Sequence, residues 1–292
     1  MPFLTYFYYK FLATLMRAIV WLGGSRPLAY PDEVRHISSR DSGRSIKVHV
    51  YHAASSSGPS PVLINFHGSG FLLRMHGEDH EFCRQISEQT KYTVLDVPYR
   101  LAPENPFPAA INDVEDAIKY VLGRPDEFDL SHLSLSGFSA GGNLALAASA
   151  TLFPPETFRS LIAFYPPVDL SADPATKGAP DPNGRVIPVP VARLFNRCYL
   201  PSTFDARDPR ISPKFASLDR FPRRILMITC EGDSLALEGE ELAEKLQHEG
   251  HYVVSERMNG CSHAWDKRTR AGTPQRQAKE RAYKLAVEML NE

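Results

Sequence analysis

Cysteine is scarce: Cys83, Cys198, Cys230 and Cys261 are widely scattered among 292 residues and form no CxxC pair, so neither a zinc site nor a redox motif is indicated. A reducing, cytoplasmic setting fits that pattern. The chain also lacks an excess of either charge, with 33 Lys and Arg against 34 Asp and Glu. Without a long basic run there is no electrostatic footprint for phosphate backbones, and nucleic acid is not expected as a partner. An uninterrupted apolar run long enough to span a bilayer is missing too, because Lys10 and Arg17 break the apolar and aromatic stretch from Phe3 to Gly24. No small-x-small cleavage site follows that stretch, and no internal repeat is present.

Hydrophobic residues at 43% and charged residues at 23% are the proportions of an ordinary globular protein with a large core, and residues 1–292 read as one domain. On a helical wheel Leu4, Tyr8, Phe11, Leu12, Leu15, Ile19 and Leu22 share one face, with Lys10 and Arg17 opposite. This amphipathic helix is expected first as a lid over a site, then as a helix packed on the body. A contact with a membrane surface or with a second copy in a homodimer completes the alternatives.

Further on, short β-branched or apolar runs alternate with helical stretches. Strands are expected at Ile46–Tyr51, Val62–Phe66, Tyr92–Val97, His132–Ser136, Leu161–Phe164, Ile225–Thr229 and Tyr252–Glu256. Helices are expected at Glu78–Glu88, Ala109–Leu122, Gly142–Ala150, Val191–Tyr199, Glu238–His248 and Pro274–Leu290. That rhythm signals an α/β fold with a mostly parallel sheet wrapped by helices. Ser55 to Ser60 reads as a hairpin or surface loop between the first two strands. Ser171 to Pro190, rich in Pro, Gly and Asp, cannot be a regular element. With the N-terminal helix it is expected to form a small helical cap, from about 1–40 and 171–205.

The strongest chemical signal is Gly137-Phe138-Ser139-Ala140-Gly141, after an expected strand and opening an expected helix. This is the context of a nucleophile elbow, in which a tight, strained turn leaves room only for glycine two residues either side of the serine. The helix it opens directs N–H groups and the positive end of its dipole toward any oxyanion formed there.

A second glycine-rich turn, His67-Gly68-Ser69-Gly70-Phe71, follows the Val62–Phe66 strand. With Asp96-Val97-Pro98-Tyr99-Arg100-Leu101-Ala102-Pro103-Glu104, Gly137 to Leu144 and Ile211-Ser212-Pro213, it resembles the hormone-sensitive-lipase-like family of esterases and lipases. The resemblance runs from about residue 46 to the C-terminus and implies the α/β-hydrolase fold. It places an oxyanion hole at the backbone N–H groups of Ser69, Gly70 and Ala140. The family usually has glycine where Ser69 stands, so the Ser69 hydroxyl is a further candidate donor. His67 is implied to hold the loop. Tyr99, Arg100 and Glu104 are implied to brace it from behind, with Glu104 or Asp96 as the counter-charge of Arg100. Phe138 replaces a commonly acidic residue and is expected to alter packing and not mechanism.

A serine hydroxyl needs a base, and the base needs a third group to hold its tautomer. In this fold the order is Ser, then acid, then His. Asp233 lies just after the Ile225 strand and His263 after the last one, where the family carries its acid and base. Glu231 is the rival acid, while His248 and His251 precede or begin the last strand.

The expected reaction is ester hydrolysis through an acyl-enzyme on Ser139, without metal or cofactor. Phe71, Leu72, Leu194 and the Val189–Tyr199 segment are expected to line a pocket for a small hydrophobic ester. Two alternatives are an amide, formamide or lactone hydrolase or other small-molecule pathway enzyme on the same fold, and a non-catalytic ligand-binding receptor.

Overall fold

The computed structural model describes residues 3–23, 29–54 and 58–292. Eight strands form one sheet in the order β1-β2-β4-β3-β5-β6-β7-β8, with β1 Glu33–Ser38, β2 Ser45–Tyr51, β3 Ser60–Phe66 and β4 Thr93–Val97. The other four are β5 Phe128–Phe138, β6 Ser160–Phe164, β7 Arg224–Gly232 and β8 Tyr252–Ser262. The β1/β2 and β2/β4 pairs are antiparallel and the rest are parallel. Strands β4 and β6 are buried along their whole length, as parallel strands covered on both faces must be.

Helices α1 Phe3–Leu22, α2 His80–Gln89, α3 Ala109–Leu122, α4 Ala140–Thr151, α5 Val189–Tyr199, α6 Ala236–His248 and α7 Pro274–Asn291 complete the chain. Alternation along β3 sends Val62, Ile64 and Phe66 to one face of the sheet, where α3, α4 and α6 pack, and Leu63 to the other, with α2 and α7. Ile111, Val114, Ile118 and Val121 give α3 its single buried stripe. Helix α4 is buried nearly all round, which its Gly and Ala residues permit by letting neighbouring backbones approach.

The expected α/β-hydrolase sheet, strands and helices are present, with three differences. Strand β1 was not expected: only Ile37 of its six residues is buried, so this edge strand carries no apolar alternation. The segment before β3 is not a hairpin turn, because β4 lies between β2 and β3; residues 55–57 of that segment lie outside the described residues. Strands β5, β7 and β8 run further than their apolar patterns, up to the residues expected to carry the chemistry.

Helix α1 docks by the face opposite to its apolar stripe. Ala13 is fully buried and Tyr9 packs on the core, while Leu4, Tyr8, Phe11, Leu15, Ile19 and Leu22 are exposed. Arg17 lies on the docked face, where it donates to Leu72 O (2.9 Å) and Ala102 O (2.7 Å) and binds Glu104 through both Nη1 (2.8 Å) and Nη2 (2.9 Å). Arg197 of α5 adds a bond to the Tyr9 hydroxyl (3.0 Å). Among the described residues, no helix is long and apolar enough to cross a membrane.

Candidate active site

Strand β5 ends at Phe138 and α4 begins at Ala140, so Ser139 is the whole turn, at φ 50° and ψ −118°. Non-glycine residues seldom occupy such a conformation, and they cluster where function requires it. Its amide donates to Phe164 O of β6 (2.8 Å), which fixes the turn to the sheet. The flanking glycines are needed for space. A Cβ on Gly137 would stand 2.3 Å from the carbonyl group of Gly141, and one on Gly141 would stand 2.0 Å from Phe66 O. Both obstacles are backbone, which cannot step aside as a side chain can.

The three residues expected to act together meet. His263 Nε2 lies 2.9 Å from Ser139 Oγ, and His263 Nδ1 lies 2.6 Å from Asp233 Oδ2. Asp233 is fully buried and its other oxygen accepts from the Leu235 amide (3.1 Å). An acceptor at Nδ1 keeps the proton there and leaves the Nε2 lone pair for the serine hydroxyl. Tyr165, itself at φ 39°, sets its ring edge-on to the His263 imidazole at 4.8 Å. The rival acid Glu231 instead accepts from the Gly260 amide (2.7 Å), and His251 bonds Pro222 O (2.9 Å).

Gly68 to Gly70 lie against this turn, and a Cβ on Gly68 would touch Ser139 Cβ at 3.5 Å. Among the described residues, the amides of Ser69, Gly70 and Ala140 have no hydrogen-bond partner, and all three residues line the cavity beside Ser139. The Ser69 hydroxyl is not a further donor to that cavity. The Tyr99 hydroxyl donates its single proton to His67 O (2.6 Å), so across the 2.8 Å Ser69–Tyr99 contact the donor is Ser69. Ser69 Oγ also accepts from the Phe71 amide (2.8 Å), which ties the loop to itself. His67 stacks on the Tyr99 ring at 4.5 Å and bonds Gly68 O through Nδ1 (3.0 Å), a loop-holding part as expected.

The expected bracing cluster is otherwise rearranged. Arg100 pairs with Asp113 of α3 (2.9 Å) and Asp41 (2.6 Å), not with Glu104 or Asp96. Glu104 holds Arg17, and Asp96 faces Asn65 and His76. Phe138 is fully buried and stacks on Phe164 at 4.3 Å, with Lys267 Nζ 3.4 Å from its ring centroid. Lys267 joins Asp266 (2.8 Å), two residues beyond Ala264 in the loop that carries His263, to Asp79 (2.7 Å). Burial alone would favour the neutral amine, but Asp266 and Asp79 outweigh it and hold the Lys267 pKa above the ordinary lysine value.

The cavity in front of Ser139 measures about 320 Å³ and is lined mainly by apolar groups, among them Phe71, Met75, Leu170, Ile187, Val191 and Phe195. Leu72 and Leu194 do not line it. Leu72 is fully buried behind the loop, and Leu194 packs against the core from its place one residue before Phe195, about 100° around the helix. The expected lid is not over the cavity: no residue of α1 lines it. Phe195 closes the cavity instead, so near Gly70 that a Cβ there would lie 2.6 Å from its ring. The two lysines at the cavity wall, Lys177 and Lys267, are both paired, Lys177 with Glu238 at 2.5 Å. No unpaired cation among the lining residues selects an anion.

Residues 63–267 match the model of a family described as having the alpha/beta hydrolase fold. The chain belongs to that family. Similar proteins include an "AB hydrolase superfamily protein" of Schizosaccharomyces pombe, 31% identical over 73% of this chain and 65% of its own length. An "Arylesterase" of Saccharolobus solfataricus is 30% identical over 70% of this chain and 68% of its own. This α/β hydrolase thus spans somewhat less than two thirds of the yeast relative. A solved esterase of Pyrobaculum calidifontis superposes with a TM-score of 0.79 at 28% identity, covering 97% of this chain and 92% of that one. The carboxylesterase EstE1, cloned from a metagenomic library, does so with a TM-score of 0.80 at 28% identity, covering 97% and 98%.

Proposed function

We propose that this α/β hydrolase cleaves carboxylic esters of small hydrophobic compounds, with Ser139 as nucleophile, His263 as base and then acid, and Asp233 as the group that orients it. The protein is a serine-type ester hydrolase working through an acyl-enzyme, and the motifs around His67, Tyr99 and Ser139 favour its hormone-sensitive-lipase-like branch. The observation that carries this reading is the unbroken relay from Ser139 Oγ through His263 to buried Asp233, with three unpartnered amides beside it.

The reaction follows from that geometry. His263 Nε2 takes the hydroxyl proton as Oγ attacks the ester carbonyl, and the amides of Ser69, Gly70 and Ala140 meet the charge that develops on the carbonyl oxygen. The protonated imidazole, stabilised by Asp233, then gives its proton to the departing alcohol. Water repeats the sequence on the acyl group. A non-catalytic receptor would not need the relay in full. A fluorophosphonate probe is expected to label the purified chain once, on the peptide that carries Ser139. Absence of labelling in folded protein, or a label on another residue, contradicts the assignment.

The form of the cavity supports the substrate class. Phe195 closes the cavity beside Gly70 and the serine, so it limits the size of an acyl group that fits there. Phe195→Ala is expected to raise kcat/KM for hexanoate relative to acetate p-nitrophenyl esters about tenfold, a difference of about 1.4 kcal/mol. An unchanged ratio would show that the limit lies elsewhere. The outward apolar face of α1 points to contact with a membrane surface or a second copy, without spanning, rather than to a lid. Four buried free thiols support a cytoplasmic setting.

A further inference from the structure

Beside the oxyanion loop, at residues that do not themselves line the ester cavity, three potential ligands converge from three segments. The β2/β4 register sets His49 directly opposite Asp96, and His76 comes down on them from the turn that follows the loop. One ligand atom from each lies within 4.8 Å of the other two. His76 Nε2 is 3.0 Å from Asp96 O and 3.4 Å from Asp96 Oδ2. We propose that His49, His76 and Asp96 form a binding site for a divalent transition ion of the zinc class, one that fastens the oxyanion loop to the sheet.

Two observations besides the cluster support it. The first is unmet bonding capacity. Asp96 is fully buried, and its Oδ1 accepts from Asn65 Nδ2 (2.9 Å), yet its Oδ2 has no hydrogen bond of normal geometry. His76 and the Gly77 amide are the polar groups facing that carboxylate. The Nδ1 of His49 is likewise buried with no partner among the described residues. Buried polar atoms are seldom left so in native proteins without an ion, a water or a functional reason.

The second is charge. Three fully buried carboxylates, Asp79, Asp96 and Asp266, share this interior with one buried ammonium, Lys267, which is bonded to Asp79 and Asp266 and not to Asp96. Two negative charges are therefore in excess when all three carboxylates are ionised, the balance a divalent cation restores. A further cation among the described residues, Lys47 beside His49, is exposed and screened. Imidazole with carboxylate is a donor set suited to zinc, and water would fill a fourth tetrahedral position. The two rings stack at 4.1 Å with a 29° tilt.

The test is independent of ester turnover. The full chain, freed of metal with a chelator, is titrated with Zn2+ by calorimetry and with Co2+ by visible absorption. The expected result is one equivalent of zinc, a tetrahedral cobalt band and a raised Tm, with affinity at least tenfold weaker in His49→Gln and in His76→Gln. Circular dichroism checks that the variants fold, and His49→Gln, on a partly exposed strand, carries the comparison if His76→Gln does not. Failure to bind zinc, or binding equally tight in both variants and so due to other histidines, overturns the proposal.

Discussion

Ser139→Ala is expected to lower kcat on a short p-nitrophenyl ester by about a million-fold, leaving only the rate that a bound substrate gains from the oxyanion amides. The magnitude follows from what is lost: without Oγ no acyl-enzyme forms, and His263 has no proton to take. The fold should be kept. The turn is fixed by the Ser139 amide on Phe164 O and by Gly137 and Gly141, none of which uses the hydroxyl. Tm is therefore expected to move little, because alanine keeps the same backbone conformation and, among the described residues, the oxygen removed bonds only His263. Stopped-time ester assays beside a thermal melt measure both quantities. Retained turnover in well-folded Ser139→Ala would remove this serine as the nucleophile.

Asp233→Asn should cost about ten-thousand-fold in kcat, through a different fault. An amide at this position can present its N–H to His263 Nδ1, which reverses the imidazole and puts the ring proton on Nε2, facing Ser139 Oγ. A base that is protonated toward its nucleophile cannot take a proton from it. Glu231→Gln provides the contrast, since Glu231 only receives the Gly260 amide and its loss should change kcat less than tenfold. Side-by-side steady-state kinetics of the two variants separate the acids, and the opposite ranking would reassign the role to Glu231.

Local signals made the relay legible. Each of its members sits at the carboxyl end of a parallel strand, in a turn whose residue types are dictated by space or hydrogen bonding, so short stretches such as Gly137 to Gly141 are enough to find them. Rotation about an axis is harder to read. The periodicity of α1 defines an apolar stripe correctly, but the side that docks carries Ala13, Tyr9 and Arg17, the last bonded to Leu72, Ala102 and Glu104, partners that lie far off in the chain. The same uncertainty put Leu194 in the cavity wall where Phe195 stands.

Partners distant in sequence were not legible at all. Asp113, which meets Arg100 and Arg44, reads as one more polar position on a helix until the fold brings it beneath the loop. Lys267 and Asp79, joined beneath Phe138, are separated by most of the sheet in chain order. Charge patterning within one segment carries no information about such long-range pairs, because their energy depends on burial that only the assembled core creates. Strand β1 was missed for the opposite reason, since an edge strand can satisfy its pairing with almost no apolar residues.

Between Gly68 and Gly70 this chain has Ser69, whose oxygen is bonded on one side to Tyr99 and on the other to the Phe71 amide. A glycine there would leave the donor segment many nearly equal shapes, and each encounter with an ester would have to select one. The side-chain brace removes those alternatives while the chain folds. Ordering entropy is thus met once, during folding, and reaction begins from donors that need no rearrangement.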